Sequence, residues 1–204
     1  MRIAFFSDTH WELYKIFDKI NFNGVNLIVF LWDNEIQDLQ LFRSLKLKKI
    51  GILWNHTPRE KTKIKIDIFK EFWIEDISWK KFEFNGIKFF WIPGEMKYII
   101  SETVMKGQGT ISAFDNIKPH IYDLENKIKI LKKSKPDIIL SHFPAFGIMD
   151  KPKDFAHRWL HFLSEYISIF SPKYLIHGHL HTEKTMNIWK TKVQQVFQYN
   201  ILDI

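Results

Sequence analysis

A chain of 204 residues with 46% apolar side chains, eight Trp and nineteen Phe can bury a full core, which argues against general disorder. The absence of cysteine excludes disulfides and thiolate metal ligands, and it suits a reducing compartment. Thirty Lys and Arg against twenty-three Asp and Glu give +7, but lysines such as Lys46, Lys48, Lys49, Lys132 and Lys133 are dispersed and read first as solvated surface.

The opening segment MRIAFFSDTHWEL has no signal-type h-region, and no apolar run reaches membrane-spanning length. One soluble, cytoplasmic domain over residues 1–204 is the expectation. Along it, short apolar runs stop abruptly at polar residues. Ile3 to Phe6 leads to Ser7, Asp8, Thr9 and His10, and a helical spacing follows at Leu13, Ile16, Phe17 and Ile20. Leu27 to Leu31 leads to Trp32 and Asp33, with a less regular helix at Ile36, Leu39 and Leu45. Ile50 to Trp54 leads to Asn55 and His56. Ile64, Ile66, Ile68 and Phe72 fit either a strand or a helix.

Phe82 to Phe84, Asn85-Gly86 and Ile87 to Ile92 predict a hairpin, since Asn-Gly readily takes left-handed turn geometry. Residues 94–120 are weakly periodic and are expected to form a long loop over the site. Leu124, Ile128 and Leu131 predict a helix, capped by Asp123 and ended before Pro136. Ile138 to Leu140 leads to Ser141 and His142. Phe155, Trp159, Phe162, Leu163, Tyr166 and Phe170 mark the clearest helix, stopped at Ser171-Pro172. Tyr174 to Ile176 leads to His177-Gly178-His179-Leu180-His181, and Thr185 to Ile204 predicts further strands. Alternation of this kind indicates a layered α/β domain.

The polar residues at these run ends are metal donors. In extended backbone, residues i and i+2 share a side, so Asp8 with His10, and His179 with His181, are expected to bind ions in pairs. With Asp33, Asn55 and His142 they make seven nitrogen and oxygen donors, enough for two ions that also bind solvent and substrate. A carboxylate such as Asp33 can bridge two metals roughly 3.5–4 Å apart. Donors of this kind fit manganese, iron, zinc or a mixed pair, with two Mn²⁺ ions the leading expectation. His177, beside the ligand turn, is expected to support the ligands or fill core rather than bind an ion itself. His157 and His161 share a helix face, but Arg158 stands where a zinc protease has its base. His120 has no assigned role.

The order Asp8-Thr9-His10, Asp33, Asn55-His56, His142-Phe143-Pro144 and Gly178-His179-Leu180-His181 resembles that of the calcineurin-like metallophosphoesterase family. The resemblance covers almost the whole chain. It implies a four-layer metallo-dependent phosphatase-like sandwich, two central mixed β-sheets flanked by helices. It also implies one metal at Asp8, His10, Asp33 and His181, and another at Asp33, Asn55, His142 and His179. The implied reaction is phosphodiester or phosphomonoester hydrolysis by metal-bound hydroxide, with His56 as the catalytic residue at the ester oxygen.

The sequence departs from the family at Trp32 and Trp54, where the pattern has Gly. It departs again at Ile36, where an Asp would orient His56, and at Thr57, which follows His56 in place of an acid. Glu35 is a candidate substitute for the missing Asp. A phosphate-ester small molecule is the leading substrate class. A nuclease and a weakly active, metal-stabilised binding protein are the alternatives, beside an ordinary α/β domain with coincidental motifs. No membrane partner is expected, and the sequence says nothing of oligomeric partners.

Overall fold

The computed structural model describes residues 1–10, 12–32, 34–51, 69–92, 125–149 and 161–204, with only the backbone of Trp32, Ile36 and His161. Asn55, His56, Trp54, His120, Asp123, Leu124 and His157 lie outside the described residues. So do Asp33 and the ambiguous and loop segments at 64–68 and 94–120.

Among the described residues the strands are β1 (Arg2–Ser7), β2 (Val25–Trp32), β3 (Lys48–Gly51), β4 (Ile74–Asp76), β5 (Lys81–Phe84), β6 (Ile87–Ile92), β7 (Ile138–Ser141), β8 (Tyr174–His177), β9 (Lys184–Ile188), β10 (Thr191–Gln195) and β11 (Gln198–Asp203). They form a five-stranded sheet, β11-β1-β2-β3-β4, and a six-stranded sheet, β5-β6-β7-β8-β10-β9. Both sheets are mixed. β1 to β4 run parallel with β11 antiparallel, and β6, β7, β8 and β10 run parallel between antiparallel β5 and β9.

Strand alternation builds the layers. Ile3, Phe5, Leu27, Val29 and Leu31 meet Phe89, Trp91, Ile138, Leu140 and Ile176 in a core between the sheets. The intervening residues Ala4, Phe6, Ile28 and Phe30 point the other way, onto Leu13, Leu39 and Phe42. Phe90, Ile92, Ile139 and Leu175 point outward from the second sheet, onto Leu131, Leu163, Tyr166 and Ile167. These outer partners come from α1 (Ile36–Gln40) and the turns after it, α2 (residues 125–134), α3 (His161–Phe170) and the segment after β1. Burying each large apolar side chain contributes about 1.5–3 kcal/mol, so a strand whose two faces are both covered is strongly held. This is the expected sandwich of two mixed sheets flanked by helices.

Three local expectations change. The helix expected over Leu13 to Ile20 is instead two 3-10 turns, Leu13–Lys15 and Phe17–Lys19, broken at Ile16, where φ is −122°. A short segment gains little from helix propagation, and two turns already bury Leu13 and Ile20. The helix at Ile36 ends at Gln40, and the chain reaches Leu45 through turns. Lys49 is not surface: it is 1% exposed on β3, and its Nζ donates to the Leu45 carbonyl at 2.6 Å. Burial pushes its pKa down. The β5–β6 turn follows its Asn-Gly signal, with Asn85 at φ 49° and Gly86 at φ 76°.

Candidate metal centre

Because β1, β2, β7 and β8 are parallel within their sheets, their carboxyl ends carry the donor residues outward. β1 ends at Ser7, β7 at Ser141 and β8 at His177; Asp8, His142 and His179 follow within two residues. Carboxyl ends of strands are where α/β sheets gather ligands. Within the second sheet the Gly178 amide donates to the His142 carbonyl at 3.1 Å, and the two sheets touch where the His179 amide donates to Asp8 Oδ2 at 2.8 Å.

The donors do not converge by the extended i, i+2 geometry expected from the sequence. Asp8, His10, His179 and His181 have φ of 52°, 45°, 76° and 50°, all left-handed, and all lie beyond the strands. Each strand stops before its donors, so side-chain direction is set by individual left-handed turns. Such conformations cost of order 1 kcal/mol or more each and persist where surrounding contacts hold them.

Asp8, His10 and His181 form one cluster, whose ligand atoms all lie within 4.8 Å of one another. The Nε2 atoms of His10 and His181 are 3.0 Å apart, and His181 Nε2 is 3.5 Å from Asp8 Oδ1. His142 and His179 form a second pair, with Nε2 of the first 3.1 Å from Nδ1 of the second. Phe143 packs edge-on against His179, with ring centroids 4.3 Å apart.

The two oxygens of Asp8 are unequal. Oδ2 accepts the Ser7 hydroxyl at 2.6 Å as well as the His179 amide. Oδ1 is buried and accepts no hydrogen bond among the described residues. Burial pushes the Asp8 carboxyl above its ordinary pKa, against the lowering influence of Ser7, His179 and His10. A buried carboxylate oxygen without a hydrogen bond, facing imidazole nitrogens, fits a divalent cation, whose charge would reverse that shift. His177 is not in this group. It is fully buried, its Nδ1 lies 3.0 Å from the Gly178 carbonyl oxygen, and burial lowers its pKa to about 4.

Five of the eight site residues expected from sequence are thus described, and they fall into two adjoining imidazole clusters linked through Asp8. Asp33, Asn55 and His56 lie outside the described residues, as do the side chains of Trp32 and Ile36. Glu35 is half-buried at the N-cap of α1. Sequence reasoning did not single out Ser7 as a partner of Asp8, or Phe197, which stacks on His181. Adjacency to Asp8 could have suggested Ser7; nothing local marks Phe197.

The family described as Calcineurin-like phosphoesterase matches residues 1–183. Among solved structures, the chain is similar to phosphopantetheinyl hydrolase from Mycobacterium tuberculosis, at 12% identity over 96% of this chain and 89% of that one, with a TM-score of 0.67. It is also similar to GAP50, the anchor in the inner membrane complex of Plasmodium, at 14% identity over 96% and 70%, with a TM-score of 0.52. At these identities the likeness is one of fold. No curated protein matches the chain.

Proposed function

This chain belongs to the calcineurin-like phosphoesterase family, and on that premise we propose that it is a two-metal phosphoric ester hydrolase acting on a small phosphodiester or phosphomonoester. The observation that carries the reading is the buried Asp8 Oδ1, without a hydrogen bond and 3.5 Å from His181 Nε2, in a residue whose other oxygen takes the amide of His179. Asp8 thereby faces the His181 imidazole through Oδ1 and holds the backbone of His179 through Oδ2, which sets the His142–His179 pair beside the first cluster.

In this reading Asp8, His10 and His181 hold one ion and His142 and His179 the other, with Asn55 completing the second and Asp33 shared. Two divalent ions, Mn²⁺ in the first instance, would lower the pKa of a bound water and neutralise phosphoryl oxygens as charge shifts. Ser7 and the His179 amide fix Asp8 Oδ2, which leaves Oδ1 as the oxygen that would hold a cation. His56, when protonated, would stabilise charge on the leaving oxygen or protonate it. Its orienting acid is absent at Ile36, so modest turnover belongs to the same proposal. A cytoplasmic location is proposed with it, resting on the absence of cysteine.

The test is a chelated chain resupplied with Mn²⁺ and offered an aryl phosphodiester, an aryl monophosphate, cyclic nucleotides and single-stranded DNA. Hydrolysis of the small esters supports the reading. Salt-sensitive cleavage of DNA alone would favour a nuclease, and metal uptake with no turnover a binding protein. Asp33→Asn should lower metal content and rate together, whereas His56→Ala should keep the metal and lose rate.

A further inference from the structure

The family match stops at residue 183, yet the chain beyond it returns to the ligand loop. We propose that Phe197 is a positioning residue for the metal position at Asp8, His10 and His181, acting by stacking on the His181 ring; the inference rests on the metal reading above. His181 lies in the connection between β8 and β9, with a side chain 51% exposed. A half-exposed imidazole on a loop can occupy several rotamers, and selecting one costs entropy when an ion binds.

Three consecutive residues at and after the end of β10 limit that freedom. Nε2 of the buried Gln195 side chain donates to the Thr182 carbonyl at 2.8 Å and to Thr182 Oγ1 at 2.5 Å, immediately after His181. The Val196 amide donates to the His177 carbonyl at 2.7 Å, just before the ligand turn. Directly after these grips, the half-buried Phe197 ring lies on the His181 ring, with centroids 5.6 Å apart and planes 22° apart. The next residue, Gln198, reaches Glu12 Oε2 at 3.4 Å, two residues beyond His10. The segment therefore braces the loops that carry both imidazoles of the cluster.

Stacking also has a chemical consequence. When Nε2 gives its lone pair to a cation, the imidazole becomes electron-poor and is attracted more strongly to the π face of Phe197. Phe197 thus favours the metal-bound His181 over the free one, as well as fixing its direction. Leucine would keep apolar packing and lose the face; tyrosine would keep both.

Calorimetric titration of the chelated chain with Mn²⁺ tests this, using wild type, F197L and F197Y, each checked by far-UV circular dichroism. F197L should weaken one of the two Mn²⁺ associations about tenfold, and F197Y should stay within about threefold of wild type. Unchanged affinity in F197L, or equal weakening in F197Y, overturns the stacking role and leaves the metal reading standing. A wild-type chain that takes up no Mn²⁺ overturns both. Should F197L fail to fold, the wild-type chain loaded with Zn²⁺ decides by NMR. Nuclear Overhauser contacts between the Phe197 and His181 ring protons are expected, and their absence overturns the inference.

Discussion

Gly178 approaches Asp8 so closely that a Cβ built on it would lie 2.5 Å from Asp8 Oδ2 and 1.9 Å from Ser7 Oγ. The second sheet's ligand turn therefore meets the end of the first sheet backbone to side chain, and the His179 amide reaches Oδ2 because nothing stands between. Gly178→Ala should push the two sheet ends apart, with an overpacking cost of about 1–3 kcal/mol. Thermal unfolding should show that loss, and calorimetry should show weaker binding of both ions. Wild-type metal affinity in G178A would mean the contact does not set the site.

The two clusters should empty separately. His181→Ala removes a donor from the Asp8–His10 cluster, whereas His142→Ala removes one from the His142–His179 pair. Elemental analysis after dialysis against limiting Mn²⁺ should find two ions per wild-type chain and about one in each variant, with turnover down at least roughly tenfold. A variant that retains both ions would remove that histidine from the ligand set.

Strand cores and their polar ends were legible because each is a local pattern: Ile3 to Phe6 followed by Asp8, and Ile138 to Leu140 followed by His142. The Asn85-Gly86 turn was legible for the same reason. The left-handed turns of Asp8, His10, His179 and His181 were not, because no residue pattern distinguishes them from continued extension. Lys49 misled because its charge argues for solvent, while its aliphatic stem and the Leu45 carbonyl let it be buried. Phe197 was invisible for a different reason. Its role depends on a strand that returns to the site, a relationship between segments that neither segment carries alone.

Gly86→Ala should destabilise the β5–β6 hairpin. A Cβ at this position would meet nothing within 4 Å, so the cost is conformational and comes from holding alanine at φ 76°. A loss of about 1 kcal/mol is expected from urea unfolding, with metal content unchanged, since the turn lies away from the ligand residues. An unchanged midpoint would show that the turn relaxes without cost.

Tyr166 offers a test in pH. Its hydroxyl is buried on α3 without a hydrogen-bond partner among the described residues, beside Phe170 at 4.6 Å between ring centroids, and burial raises its pKa from 10.0 to about 12. Removing an unpartnered hydroxyl should be close to neutral, so Tyr166→Phe should lie within about 1 kcal/mol of wild type at pH 7. Above pH 10 the unfolded chain ionises this phenol while the folded chain resists. The stability that the protonated phenol gives is complete below 10 and is lost as pH rises towards 12. The difference between wild type and Y166F in urea should therefore move in favour of Y166F across that interval. A constant difference from pH 8 to pH 12 would show that the hydroxyl titrates as it does in the unfolded chain.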